Sequence, residues 1–140
     1  MSNALLSPDF SSIQSAVKQV LTTHAEFCFL LGSAATPRFH KESDIDLAVF
    51  WKASVFKNIE LQTRLYSEIR ESFEVDVDLI SLNEIDVIYG IQVVETGRLL
   101  FSNDAGLLLQ WKAEQLSKYP DFKATRKVIE DNILKRKSYV

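Results

Sequence analysis

The sequence of 140 residues is poor in the side chains that build disulfides and zinc sites. It has one cysteine, Cys28, and two histidines, His24 and His40. A single cysteine excludes an internal disulfide and a cysteine-rich metal site, and two histidines leave little for a zinc site built on His. A metal ion held by this chain would therefore need carboxylate ligands, which favour Mg²⁺ or Mn²⁺.

Long apolar runs and an excess of positive charge are also lacking. No run approaches the ~20 apolar residues that a membrane helix needs. Residues 1–10 lack the basic region and long apolar stretch of a signal peptide. We therefore expect a cytoplasmic protein with no membrane partner. The formal net charge of −3 argues against direct binding of nucleic acid, which favours a basic surface.

What the chain does contain is sufficient for one compact domain spanning 1–140. Hydrophobic residues make up 46% of the sequence, which is ample for a core, and no repeat or Pro/Gly-rich linker divides it. The charge is unevenly distributed. Residues 42–86 hold eleven acidic and four basic residues, whereas residues 121–140 hold three acidic and six basic residues. An acidic centre is thus followed by a basic tail.

Periodicity predicts alternating helices and strands, and thus a mixed α+β domain. In the helix over 58–73, for example, Leu61, Leu65, Ile69 and Phe73 recur every four residues. Gly97 is a signal for a helix C-terminus. Helices are predicted over 8–23, 58–73, 83–96, 105–118 and 121–135, strands over 25–31, 45–50, 74–82 and 98–102, and a brief turn or helix over 33–38. The segment from about 104 to 140 is thus predicted to be helical.

Gly32 and Ser33 stand where the apolar strand over 25–31 ends. Glycine permits a tight turn and lets backbone N–H groups approach a ligand closely. If a short helix starts here, its N-terminus offers donors to a phosphate, and the Ser33 hydroxyl adds another. The simpler alternative is a glycine that only ends a strand.

Asp44 and Asp46 are two residues apart on a predicted strand, so both side chains point to one face. Their Cα atoms would be ~6.6 Å apart, from a rise of ~3.3 Å per residue. Two carboxylates at this spacing can close on a metal ion. The alternative is the solvent face of an amphipathic strand. It is weakened because Asp forms strands poorly and because two like charges on one face repel.

Asp76 and Asp78 repeat this alternation on the next predicted strand. If the two strands are neighbours, three or four carboxylates converge, and such a cluster needs divalent cations. Two-metal sites for phosphoryl transfer have ions roughly 3.5–4 Å apart. Alternatively, one of these two aspartates is merely solvated.

These residues together resemble a known signature. Gly32-Ser33, ten further residues and then Asp44-x-Asp46 is similar to the Gly-Ser-x₁₀-Asp-x-Asp pattern of the DNA polymerase β-like nucleotidyltransferases. The minimal nucleotidyltransferase antitoxins, which pair with HEPN toxins, are the most similar branch. The resemblance extends over Asp78-Leu79-Ile80 and the segment 95–101. It implies a palm fold, a small mixed β-sheet flanked by helices, with C-terminal helices.

The resemblance also implies roles for individual residues. Asp44 and Asp46 would bind two Mg²⁺ ions, and Asp78, or alternatively Asp76, would be the third catalytic carboxylate. Gly32 and Ser33 would hold the phosphates of the substrate ATP. Many relatives carry an arginine after the Gly-Ser pair, where this chain has Ala34. Arg38 could take its place against the triphosphate, or it is only a surface residue.

The activity that the resemblance implies is transfer of AMP from ATP to a tyrosine hydroxyl of a HEPN ribonuclease toxin, in an oligomeric assembly with that toxin. The HEPN signature Arg-x₄₋₆-His is absent, so this chain would be the transferase half of the pair. Two alternatives stay open. One is a nucleotidyltransferase for a small molecule such as an aminoglycoside. The other is an antitoxin that only binds, with a decayed site, to which Ala34 and Pro37 give some support.

Overall fold

The computed structural model describes residues 5–6, 9–31 and 45–118. Within these residues the chain forms five helices and four strands, which we number in chain order. They are α1 (Phe10–Leu21), β1 (Ala25–Leu31), β2 (Ile45–Trp51), α2 (Ala53–Phe56), α3 (Ile59–Arg70), β3 (Val77–Ser81), α4 (Val87–Thr96), β4 (Arg98–Ser102) and α5 (Ala105–Ser117).

The four strands form one mixed sheet in the order β3-β2-β1-β4. β1 pairs antiparallel with both β2 and β4, and β2 pairs parallel with β3. The parallel pair requires a crossover, because the chain must return to the same end of the sheet before β3 begins. α2 and α3 form that crossover. The predicted mixed sheet flanked by helices is therefore confirmed.

Each face of the sheet carries its own apolar core. The first core lies under α1 and α3, where Ile13, Val17 and Ile69 are buried against alternate residues of the strands. The second core lies under α4 and α5 and is rich in aromatic rings. In this second core the rings of Phe27 and Trp111 lie 5.4 Å apart, centroid to centroid. β1 and β2 are buried on both sides, which explains the nearly continuous apolar run of β1.

Side-chain caps fix where four of the helices begin. Asp9, Asn58, Asp86 and Asp104 each accept hydrogen bonds from backbone N–H groups in the first turn of α1, α3, α4 and α5. Such a cap stabilises a helix by about 1 kcal/mol. These four residues therefore set the helix starts more sharply than apolar periodicity does.

Three predicted boundaries were wrong by three or more residues, and α2 was not predicted. α3 ends at Arg70 rather than at residue 73. β3 begins at Val77 rather than at residue 74, because the buried Phe73 forms an isolated parallel bridge with Leu6 and the chain bends after it. α4 begins at Val87 rather than at residue 83. The Asn83 side chain accepts from the Trp51 N–H at 2.8 Å and donates to the Trp51 carbonyl at 3.0 Å, so it acts as a strand partner at the end of β2.

Cys28 is fully buried in β1, and its burial raises the pKa of the thiol. Because the thiolate is the reactive form, we expect Cys28 to resist alkylation by iodoacetamide in native buffer and to react rapidly once urea unfolds the chain. Mass spectrometry of both samples would measure the difference. Equal alkylation rates in the two samples would contradict the burial of Cys28.

No helix in the described part of the chain is both long and apolar enough to cross a membrane. The predicted turn over 33–38 and the predicted helix over 121–135 lie outside the described residues.

Candidate active site

Asp46 and Asp78 are direct neighbours in the sheet. The parallel register of β2 and β3 places Asp46 opposite Asp78 and Ile45 opposite Val77. Adjacent strands lie about 4.8 Å apart, so the Cα atoms of the two aspartates are separated by roughly that distance. The predicted carboxylate cluster required the two acidic strands to be neighbours. Asp46 and Asp78 meet this requirement.

Both aspartates belong to the same face of the sheet. Ile45 and Leu47 on β2, with Val77 on β3, pack in the first core, whereas Ala48 and Ile80 pack in the second. Side chains alternate along a strand, so Asp46 and Asp78 lie on the face of the second core, at its end. Asp46 is half-buried and Asp78 is exposed. The pair thus lies where buried sheet gives way to solvent.

A third strand extends this row of residues. Leu31, the last residue of β1, lies opposite Asp46 on the other side of β2. Leu31, Asp46 and Asp78 therefore form one row across three strands. In the sequence, Gly32 follows Leu31 directly, so the predicted phosphate-binding pair starts at the β1 end of this row. Gly32, Ser33, Arg38 and Asp44 themselves lie outside the described residues.

Asp76, the alternative third carboxylate, lies just before β3. It is exposed, and its backbone carbonyl accepts a hydrogen bond from the Ile45 N–H at 2.9 Å. Asp76 is thus placed at the start of β2, whereas Asp78 is the residue opposite Asp46. This register is the observation that favours Asp78 over Asp76.

The two paired carboxylates fit a divalent cation. Like charges opposite each other on neighbouring strands destabilise a sheet unless something neutralises them. Carboxylates on directly opposite residues can both reach one Mg²⁺ ion, whose bonds to oxygen are about 2.1 Å long. Within residues 5–6, 9–31 and 45–118, no group of three or more His, Cys, Asp or Glu side chains is arranged to hold a metal ion. The predicted third ligand, Asp44, precedes Ile45 outside this part of the chain.

β3 is held beside α3 by a hydrogen bond that the sequence did not reveal. The Tyr66 hydroxyl donates to the Val77 carbonyl at 2.6 Å, one residue before Asp78. A cavity of about 300 Å³ lies between this helix and the outer edge of β3, lined by Ile59, Gln62, Thr63, Tyr66, Asp78 and Leu79. The only signal for it in the sequence is that Ile59 falls outside the apolar stripe of its helix.

Comparison with protein families matches residues 14–106 to the family described as polymerase beta nucleotidyltransferase. This span includes Asp46, Asp78 and all four strands of the sheet. The chain therefore belongs to the polymerase β nucleotidyltransferase family, as its signature indicated.

Individual relatives are more informative about activity. The chain is 28% identical over 109 residues to the protein adenylyltransferase MntA of Shewanella oneidensis, across 78% of this chain and 76% of that protein. It is also similar to a crystal structure of a toxin–antitoxin with AMP-PNP, with 27% identity and a TM-score of 0.62 over 86% of this chain and 98% of that one.

A second solved structure supports the fold alone. It contains a tri-AMPylated Shewanella oneidensis HEPN toxin in complex with an MNT antitoxin. The similarity has 23% identity and a TM-score of 0.63, and covers 89% of this chain and 98% of that one.

Proposed function

We propose that this chain is an antitoxin that transfers AMP from ATP to a tyrosine hydroxyl of a cognate HEPN ribonuclease toxin and thereby neutralises it. The pairing of Asp46 with Asp78 is the observation that carries the proposal, because it supplies carboxylates where the family's chemistry needs them. Membership of the nucleotidyltransferase family and similarity to the adenylyltransferase MntA support the same activity.

The reaction joins the acceptor oxygen to the α-phosphorus of ATP. The bond between the α-phosphorus and the oxygen bridging to the β-phosphate breaks, and pyrophosphate leaves with that electron pair. Asp78 accepts the proton of the attacking hydroxyl, which its exposed position allows. Gly32 and Ser33 would hold the β- and γ-phosphates, and Arg38 would assist them. Catalysis would rest on positioning and on stabilising charge.

Asp44, Asp46 and Asp78 are the residues that would hold two Mg²⁺ ions. Bound there, the ions would neutralise the triphosphate and favour ionisation of the acceptor hydroxyl. Asp46 and Asp78 contribute their proximity, since the sheet holds their backbones side by side before any ligand arrives. Such preorganisation removes a reorganisation cost at the moment of reaction.

The direct test is to mix the chain with its toxin, ATP and Mg²⁺ and to measure intact masses. We expect the toxin to gain the mass of one or more AMP groups and the modification to map to tyrosine. The control omits Mg²⁺ and adds a chelator, which should stop the transfer. A toxin of unchanged mass beside a folded antitoxin that binds ATP would remove the proposal.

Two further measurements separate the alternatives. An aminoglycoside-type enzyme would consume ATP with the drug and without any protein partner. An antitoxin that only binds would leave the toxin unmodified but inactive. In that case Asp46→Ala would neutralise the toxin as well as the wild-type chain does.

A further inference from the structure

The cavity between α3 and β3 borders Asp78 at the outer edge of the sheet. β3 is the outer strand of the sheet in the described part of the chain, and Asp78 lies on it. The predicted phosphate-binding residues begin after Leu31, on the opposite side of Asp46. If ATP enters from the β1 side, the acceptor has to approach across β3. The cavity borders that approach.

The lining of the cavity combines an apolar anchor with polar groups. Ile59 is 67% exposed, equalled among the large apolar side chains of the described residues only by Leu109. Leu79 and the Tyr66 ring form a half-buried apolar wall, and Thr63 is exposed beside them. The Tyr66 hydroxyl and the Gln62 amide nitrogen are already engaged, with the carbonyls of Val77 and of Val55 and Phe56. Their positions are therefore fixed before a partner arrives.

The volume limits what the cavity can hold. At about 300 Å³ it lies at the lower end of the range of roughly 300–1,000 Å³ found for small-molecule sites. It is open to solvent. One apolar side chain presented by a protein surface suits it, as in the anchor contacts that dominate protein interfaces.

The segment of the chain that forms the cavity, from α3 to Asp78, is acidic on its exposed surface. From α3 through β3 up to Asp78, the exposed charged residues are six acids, Glu60, Glu68, Glu71, Glu74, Asp76 and Asp78, and two bases, Arg64 and Arg70. A ribonuclease must attract the phosphates of its substrate, so the surface around its catalytic centre is expected to be basic. The two surfaces are therefore complementary in charge.

We propose that the groove formed by Ile59, Thr63, Tyr66 and Leu79, the α3/β3 groove, is where the acceptor protein docks. It would receive an apolar side chain from a basic surface of that protein and so hold the target hydroxyl within reach of Asp78. This inference rests on the proposed function. It assigns acceptor recognition to α3, a helix that carries none of the predicted catalytic residues.

The test compares two substitutions at equally exposed residues. Ile59→Arg places a cation and excess bulk in the groove, whereas Leu109→Arg makes the same change on α5, where Leu109 is also 67% exposed. We expect Ile59→Arg to weaken binding of the toxin by about tenfold or more. It should also raise KM for the toxin with kcat little changed. Leu109→Arg should leave both near the wild-type values. Both variants should bind ATP with Mg²⁺ like the wild type, by calorimetry.

Charge is tested in the same way with Glu60→Lys on α3 and Glu114→Lys on α5, both exposed. We expect Glu60→Lys to slow association with the toxin and to flatten its dependence on salt, and Glu114→Lys to do neither. The groove assignment is wrong if Ile59→Arg binds the toxin no more weakly than Leu109→Arg while the wild-type chain modifies the toxin normally. If the wild-type chain transfers no AMP at all, it is the proposed function that fails.

Discussion

Asp78→Asn is expected to lower the rate of AMP transfer by about a thousandfold or more while the fold is retained. The substitution preserves the shape of the side chain and removes its charge. It thereby removes one of the two described carboxylates that face each other across β2 and β3. Asp46→Asn should have an effect of the same order, because each aspartate supplies half of the pair. Single-turnover assays with toxin and ATP would measure both rates.

Measurements of stability test the same variants independently of activity. Asp78 is exposed and lies opposite another carboxylate, so its neutralisation should leave the free energy of unfolding unchanged or raise it by about 0.2–1 kcal/mol. Activity and stability should therefore change independently. Mg²⁺ with ATP should raise the melting temperature of the wild-type chain, since a ligand that binds the folded state stabilises it, and should raise that of Asp78→Asn less. A large loss of stability in Asp78→Asn would indicate a structural role instead.

Asp76→Asn is the matched control for this pair. Asp76 is also exposed and also acidic, but it precedes β3. It contacts β2 through its backbone carbonyl, whereas Asp78 lies directly opposite Asp46. We expect Asp76→Asn to keep activity within about tenfold of the wild type. A loss equal to that of Asp78→Asn would reverse the assignment of the third carboxylate.

The sequence predicted the strands that build the centre of the sheet. The strand over 25–31 is β1, and the strand over 45–50 is one residue shorter than β2. Both are short apolar runs bounded by turn residues, a pattern that depends on local composition alone. The positions of Asp46 on β2 and Asp78 on β3 were likewise predicted from local sequence, because acidic and apolar residues alternate there. Periodicity does not indicate which strands are neighbours or in which direction they run.

The parts that the sequence did not predict depend on contacts distant along the chain. Asn83 delays the start of α4 because its side chain bonds with Trp51, 32 residues earlier. β3 starts late because Phe73 is bridged to Leu6. The α3/β3 groove exists only because α3 returns along the outer strand. The role of Gly97 also depends on distant contacts, because the atoms packed around it belong to β1 as well as to α4.

Gly97→Ala is expected to destabilise the fold by about 1–3 kcal/mol, the usual cost of overpacking. Gly97 ends α4 in an extended conformation, with φ −73° and ψ 145°, so its backbone would accept any residue. Space is what requires glycine. An added Cβ would lie 2.7 Å from the Val93 carbonyl oxygen, 3.1 Å from the Phe29 ring and 3.2 Å from a Leu31 methyl. Since a backbone atom is involved, the helix end has to shift. Urea denaturation would measure the loss.

Gly106→Ala separates this clash from the general effect of replacing glycine. Gly106 lies in the first turn of α5. Apart from its chain neighbours and the backbone of its own helix, the only atom within 4 Å of an added Cβ would be an Asp104 carboxylate oxygen, at 3.2 Å. Alanine favours a helix over glycine by up to about 1 kcal/mol, so this variant should be neutral or more stable. Because Leu31 directly precedes Gly32, Gly97→Ala should also raise KM for ATP, whereas Gly106→Ala should not. Equal effects of the two variants would show that Gly97 is not needed for close packing against the end of β1.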